Sequence, residues 1–214
     1  PHYDEIIAGK APFLNKYWYT FATLICVGVY VFITMRIRSL SVAEDNGVKG
    51  DYSYHNKMRG WMAAFLPWGA FTSAILIWQW MMSVDAHWYS TMYAWNVTAS
   101  FFVGLLSMTV LMLIYLKSRG YFVYVTENHM HDIGKYLFGF SVFWTYTWFS
   151  QYMLIWYSNI PEEVTYFITR IEDYNFLFFG MVVMNFVFPL LILMNSDYKR
   201  NNWFIIIAGI VIIL

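Results

Sequence analysis

Hydrophobic residues along this chain come in long unbroken blocks rather than in the one-sided 3.6-residue stripe of a soluble helix. Five blocks approach the ~20 residues a helix needs to cross a bilayer: residues 17–35, 61–84, 95–116, 133–157 and 174–194. A sixth, 203–214, is shorter. None of the five has a charge deep in its middle. Lys135 falls in the first turn of the fourth, where its stem can carry the ammonium to water. Pro67 and Pro189 lie inside the second and fifth blocks, and packing against neighbouring helices can satisfy the carbonyl a proline frees in lipid. The pattern predicts an all-α polytopic membrane protein, a transmembrane helix bundle of about six spans. Residues 17–157 are expected to form one bundle of four helices, and residues 174–214 to begin a second. Between the blocks, residues 1–16, 39–60 and 158–173 are expected outside the membrane, with Ser39 to Gly60 as the longest polar loop.

Aromatic residues reinforce the boundaries. Tyr17, Trp18 and Tyr19, then Trp61, Trp88 with Tyr89, Trp156 with Tyr157, and Trp203 flank the blocks, as in the interfacial belts of membrane proteins. Charge gives the orientation. Alternate connections carry three Lys and Arg on one side (Lys10, Lys16, Arg170) against ten on the other. The rich side is expected to be cytoplasmic. Asp85 and His87, and the 158–173 segment with Glu162 and Glu163, then face outward; the segment Glu127 to Asp132 faces inward.

Composition narrows the class. Hydrophobic residues make up 60% of the chain and charged residues 12%, about half the charged share of a soluble domain. Formal net charge is zero and there is no basic block, so nucleic acid is not an expected partner. The single cysteine, Cys26, cannot form an intrachain disulfide or hold a cysteine-ligated cluster. No phosphate-binding loop, dinucleotide turn or CxxC pair occurs, and no histidine pair sits in mid-span to hold haem. The chain begins at Pro1 and stops within an apolar block, which points to the middle of a longer protein.

Three places could carry chemistry. The first is "TENHMHD", residues 126–132, leading into the fourth block. Glu127, His129, His131, Asp132 and Lys135 suit either a polar helix cap or a proton-exchanging mouth, where a carboxylate raises the proton affinity of a neighbouring histidine. A metal site fits less well. His129 and His131 diverge by roughly 200° on a helix, and His2, His55 and His87 are scattered. The second is "SVDAHWYS", where Asp85 and His87 could accept protons from a lipid-soluble headgroup, or form an interfacial turn. The third is the polar content of the fourth block. Tyr146 and Ser150 share a helix face, Gln151 follows, and Gln79, Asn96 and Asn185 occur in other blocks. These side chains suit interhelical hydrogen bonding or a relay of hydroxyls, amides and water.

The stretch "TENHMHDIGKYLFGFSVFWTYTWFSQYMLIWYSNIPEE" resembles the ActF-type membrane subunits of alternative complex III, the quinol:electron-acceptor oxidoreductase of bacteria that lack a cytochrome bc complex. "SVDAHWYSTMYAW" and "IIAGKAPFLNKYWY" resemble the same subunit, and the similarity runs through most of residues 6–198. Such subunits belong to the NrfD/polysulfide-reductase-like membrane anchors, built as two four-helix bundles with flanking helices in the bacterial inner membrane. The resemblance implies a multi-pass subunit that scaffolds a respiratory complex and binds menaquinone or conducts protons. It implies no cofactor held by this chain apart from menaquinone or menaquinol, with haem c and iron–sulfur clusters in partner subunits. The implied partners are a sister NrfD-like subunit, an iron–sulfur protein, c-type cytochromes, membrane lipid and, further out, a terminal oxidase. Asp85, His87, His129, His131, Asp132 and Lys135 stand at the family's motif positions. A stand-alone transporter or channel is the alternative.

Overall fold

A computed structural model gives the structure of residues 5–48 and 50–213; His2 and Lys49 lie outside the described residues. The described residues are helices and turns, with no strand. Contacts divide the chain between Tyr89 and Ser90 into two compact units, so the third and fourth long helices group with those that follow them.

The N-terminal unit is a helical hairpin with a short leading helix. The short helix is α1 (Glu5–Lys10), followed by α2 (Lys16–Asp45) and α3 (Ser53–Trp80). Asn15 caps α2 by accepting the Trp18 N–H at 2.8 Å. The two long helices are clasped by polar and aromatic pairs. Tyr30 bonds Thr72 through their hydroxyls, Trp80 Nε1 donates to Thr23 Oγ1 at 3.0 Å, and Phe32 meets Trp61 edge-on at 5.8 Å. In lipid, where apolar surface gains nothing by leaving its solvent, such interhelical bonds and close packing hold helices together.

Residues 39–60 differ from the expected loop. Helix α2 continues ten residues past Met35, and α3 starts at Ser53, so only a short turn separates them. The sequence 36–45 has no proline or glycine to stop a helix, and Asn46 and Gly47 then end it. His55 pairs with Glu44 across the turn at 3.6 Å. The charges of Arg36 and Arg38 mark where the membrane is expected to end, not where the helix does.

The C-terminal unit is built on an antiparallel pair, α4 (Thr91–Ser118) and α5 (Glu127–Ser158). Next come α6 (Pro161–Glu172), α7 (Asn175–Val182), a π-helical turn (Val183–Val187), α8 (Phe188–Leu193) and α9 (Asn202–Ile213). Helix α9 lies along α4, and α8 along α5. Val103, Leu137, Leu193, Ala208 and Ile212 form one buried apolar layer. Val110, Val125, Met130 and Ile205 form another, beside the 119–126 turn. The expected loop 158–173 is mostly helix α6. Pro161 sits at its start, Glu162 and Glu163 in its first turn and Arg170 in its last, each favourable to that end of the helix dipole.

Among the described residues, four helices are long and apolar enough to cross a membrane: Lys16–Asp45, Ser53–Val84, Thr91–Ser118 and Asn175–Leu193. Between 11% and 28% of each apolar stretch is buried, so most of its surface needs an apolar surrounding. The fourth expected span lies in α5, which is long enough but too rich in Ser, Thr, Gln and Tyr to stand with these four. Helix α9 is apolar but short.

Candidate functional site

At the start of α5 the cap is built reciprocally. The Thr126 side chain accepts the His129 backbone N–H, and His129 Nδ1 accepts the Thr126 N–H at 3.1 Å. Histidine here replaces the Glu or Gln of the usual capping box.

His131 turns elsewhere. Its Nε2 lies 3.1 Å from Ser196 Oγ, in the turn between α8 and α9. Its Nδ1 is 3.8 Å from Asp132 Oδ1, and its side chain is only 13% exposed. Asp132 Oδ1 is bound by Lys135 Nζ at 3.1 Å. Asp132 does raise the proton affinity of His131, as expected, but the net shift runs the other way. Desolvation pushes the imidazole below its ordinary value, and Lys135, Lys199 and Arg200 push the same way, outweighing Asp132. Lys135 holds the Asp132 carboxyl below its own ordinary value. The stem of Lys199 lies directly on α5: a Cβ built at Gly134 would meet Lys199 Cγ at 3.2 Å. Its ammonium sits 5.7 Å from the centre of the Phe138 ring. Ser196, Lys199 and Arg200 had no place in the sequence-level site. Their only signal was the basic character of that connection.

Glu127, in the first turn of α5, stands apart from this group and lines a surface cleft with Lys117 and Arg200. The five residues therefore split three ways: a cap, a histidine latch with its charged neighbours, and a cleft wall. His129 and His131 have different partners. Among the described residues no three His, Cys, Asp or Glu side chains gather where one metal ion could bind them.

In the N-terminal unit, Asp85 and His87 follow a 3-10 turn at the end of α3 (Met82–Val84). Asp85 Oδ1 accepts the Trp88 N–H at 3.3 Å, an Asx-type turn. Lys10 donates from Nζ to the backbone carbonyls of Ala86 at 2.6 Å and His87 at 3.2 Å. A cavity of about 210 Å³ opens there, walled by Leu14, Trp78, Trp88 and Tyr89 with Asp85 and Lys10 at its edge. The same unit carries Gln79, buried with both its amide atoms unpartnered among the described residues.

The intramembrane polar candidates are only partly brought together. Asn96 Nδ2 on α4 donates to Thr147 Oγ1 at 3.1 Å and to the Trp144 carbonyl at 3.2 Å. One turn on, Trp144 Nε1 donates to Ser100 Oγ at 2.6 Å. Gln151, one turn beyond Thr147, is buried with its Nε2 unpartnered, as is the Ser141 hydroxyl. Tyr146 and Ser150 do not belong to this seam. Tyr146 is 63% exposed, because the inward face of α5 is Met130, Leu137, Ser141, Trp144, Thr147, Gln151 and Ile155. Asn185 bonds back to its own helix, to the Met181 carbonyl at 3.1 Å.

The seam has one closed end. Toward Glu127 it meets the layer of Val103, Leu137 and Leu193, all nearly or wholly inaccessible. Toward Ser158 it continues to Gln151. Charge follows the same axis. Lys117, Arg119, Lys135, Lys199 and Arg200 gather at the Glu127 end of the unit, and Arg170 stands with four carboxylates toward the other. Along α5 the polar positions of the seam run from Ser141 to Gln151, about a third of the helix. Among the described residues, the polar group beside that layer is Ser107, wholly buried with its hydroxyl unpartnered, next to Gly209 of α9.

No protein-family model matches the chain, and no curated protein is similar to it.

Proposed function

We propose that the chain is a multi-pass subunit of a quinol-oxidising electron-transport complex in a bacterial inner membrane, of the alternative complex III type. In this proposal α5 is a further crossing helix, and α9 begins another. The observation that carries the reading is the α4–α5 seam. Its buried polar side chains lie inside a bundle that can cross a bilayer, reach toward the acid-rich end and stop at an apolar layer. This is the form of a half-path that exchanges protons with the outer side. Hydroxyls and amides of this kind also bind helices together, and Asn96, Thr147 and Trp144 do so here. The unpartnered Gln151 Nε2 and Ser141 Oγ go beyond that role. Buried polar atoms without protein partners call for water.

The Asp85 cavity suits the ring of a quinone. Its walls are aromatic and its rim carries a carboxylate. At about 210 Å³ it is below the ~300–1,000 Å³ of whole-ligand pockets, so it has room for a headgroup and not for an isoprenoid tail. A bound quinol supplies two electrons and two protons. Asp85 Oδ2, which has no protein partner among the described residues, can hold a proton. Lys10 fixes the 86–87 carbonyls, and Trp78 and Trp88 exclude water. Haem and iron–sulfur centres are proposed to lie in partner subunits.

The reading is tested by gentle purification from native membranes. Co-elution of c-type haem and iron–sulfur protein with quinol oxidase activity is expected, and Asp85→Asn should lower that activity about tenfold or more. A homogeneous chain with neither haem nor iron–sulfur partners would instead favour a stand-alone transporter. The observation that speaks for that second reading is the π-turn at Val183–Val187, since such interruptions recur at functional sites in membrane helices.

A further inference from the structure

We infer that the cleft at the basic end of the C-terminal unit binds the headgroup of an amine-bearing zwitterionic phospholipid, phosphatidylethanolamine in chemical class. The inference rests on the membrane assignment alone and holds whether or not quinol is the substrate.

The cleft measures about 470 Å³ and lies among the end of α4, the first turn of α5 and the corner before α9. Two cations, Lys117 and Arg200, and two carboxylates, Glu127 and Asp197, line it together with Asn201 and Asn202. Four opposite charges share one cleft, yet none is within ion-pair distance of another. The side chains of Glu127, Asp197 and Arg200 make no hydrogen bond or ion pair with any described residue. Lys117 donates once, to the Val125 carbonyl at 2.7 Å, and keeps two N–H donors. The neighbouring cations are turned to other work: Lys135 to Asp132 at 3.1 Å, and Lys199 to the face of Phe138. The cleft's own charges therefore balance at zero.

Its depth in the membrane follows from what surrounds it. Trp203, at the mouth, is 73% exposed, and Tyr198 stacks on Phe204 beside it at 4.2 Å. Aromatic side chains in such positions mark the headgroup level. A phosphate is met by Arg200 and Lys117 through charge-assisted hydrogen bonds. A primary ammonium, with three N–H donors, is met by Glu127 and Asp197. The exposed Trp203 indole offers apolar surface to the glycerol and acyl carbons. An anionic headgroup such as phosphatidylglycerol leaves both carboxylates facing a negative ligand. A choline headgroup brings positive charge but no N–H to donate.

The test uses the full chain reconstituted into nanodiscs of equal parts phosphatidylethanolamine, phosphatidylcholine and phosphatidylglycerol. It is then extracted into detergent, and the retained lipid is measured by native mass spectrometry. Retention of phosphatidylethanolamine over both other lipids is expected. Arg200→Gln and, separately, Asp197→Asn should each cut that preference about tenfold, equivalent to ~1.4 kcal/mol. Arg38→Gln, in the other unit, should leave it unchanged and controls for folding and extraction. Equal retention of the three lipids, a preference for phosphatidylglycerol, or full retention in both cleft variants would overturn the assignment.

Discussion

At the scale of single residues, two neighbouring histidines do different jobs because they sit on different sides of one helical turn. His129 completes the α5 cap. His129→Ala removes the acceptor for the Thr126 N–H, and Thr126→Ala removes the hydroxyl that shares the His129 N–H with the Thr126 carbonyl. Each should cost ~1 kcal/mol, read as faster amide exchange in the first turn of α5. His131 latches the turn between α8 and α9 through Ser196. Its folded proton affinity lies below that of the unfolded chain, so protons bind the unfolded state more readily. The stability it contributes is complete above the ordinary histidine value of 6.5 and declines as pH falls below that value. Asp132, also lowered, adds a loss in the same direction at more acidic pH. Amide protection factors across 195–201, with the intrinsic slowing of exchange in acid divided out, should therefore fall on acidification below 6.5, and His131→Gln should flatten that dependence. A latch that tightens at low pH would contradict the geometry. That the "HMHD" cluster does not act as one unit was only half legible. The 200° divergence was in the spacing. Burial acts on His131 first, then Lys135 four residues away, then Lys199 and Arg200, more than sixty positions away.

At the scale of elements, α5 shows what periodicity can and cannot tell. Its polar content signalled a protein-facing helix, and the structure packs one face against α4, α8 and the turn before α9. The pairing of Tyr146 with Ser150 followed a true i, i+4 relation but chose the wrong face. The buried positions run Met130, Gly134, Leu137, Ser141, Trp144, Thr147, Gln151, Ile155, with small and polar residues as contact points. Polarity alone misleads in a bilayer, where tyrosine and serine also suit other surroundings. Thr147→Val should break the Asn96 bond while keeping volume. A loss of about 0.5–1.5 kcal/mol is expected, measurable by denaturation in mixed micelles. Gln151→Leu should be neutral or stabilising for the fold, because the unpartnered amide leaves with its desolvation cost. If Gln151 serves a proton path, the same variant lowers proton release. Helix α6 was missed as an element although its signals were present: Pro161, two glutamates, then Arg170 eight residues later. Between apolar blocks it reads as a loop because it is amphipathic rather than apolar.

At the scale of the molecule, the account rests on how apolar length and charge are distributed. Four helices suffice in length and hydropathy, and their exposed apolar faces have no stable place in water. The long blocks, their aromatic ends and the uneven basic charge were all legible in sequence, because the bilayer imposes length and polarity directly. Which helices pair was not legible, since lipid-facing and protein-facing apolar residues read alike. The most direct measurement is accessibility from each side of the membrane. In a Cys26→Ala background, Tyr121→Cys and Glu162→Cys place single thiols at opposite ends of α5. Labelling intact cells with a membrane-impermeant maleimide should modify position 162, and position 121 should react only after permeabilisation. Equal labelling of both positions in intact cells, or a chain recovered in the soluble fraction, would contradict a helix bundle threaded through lipid.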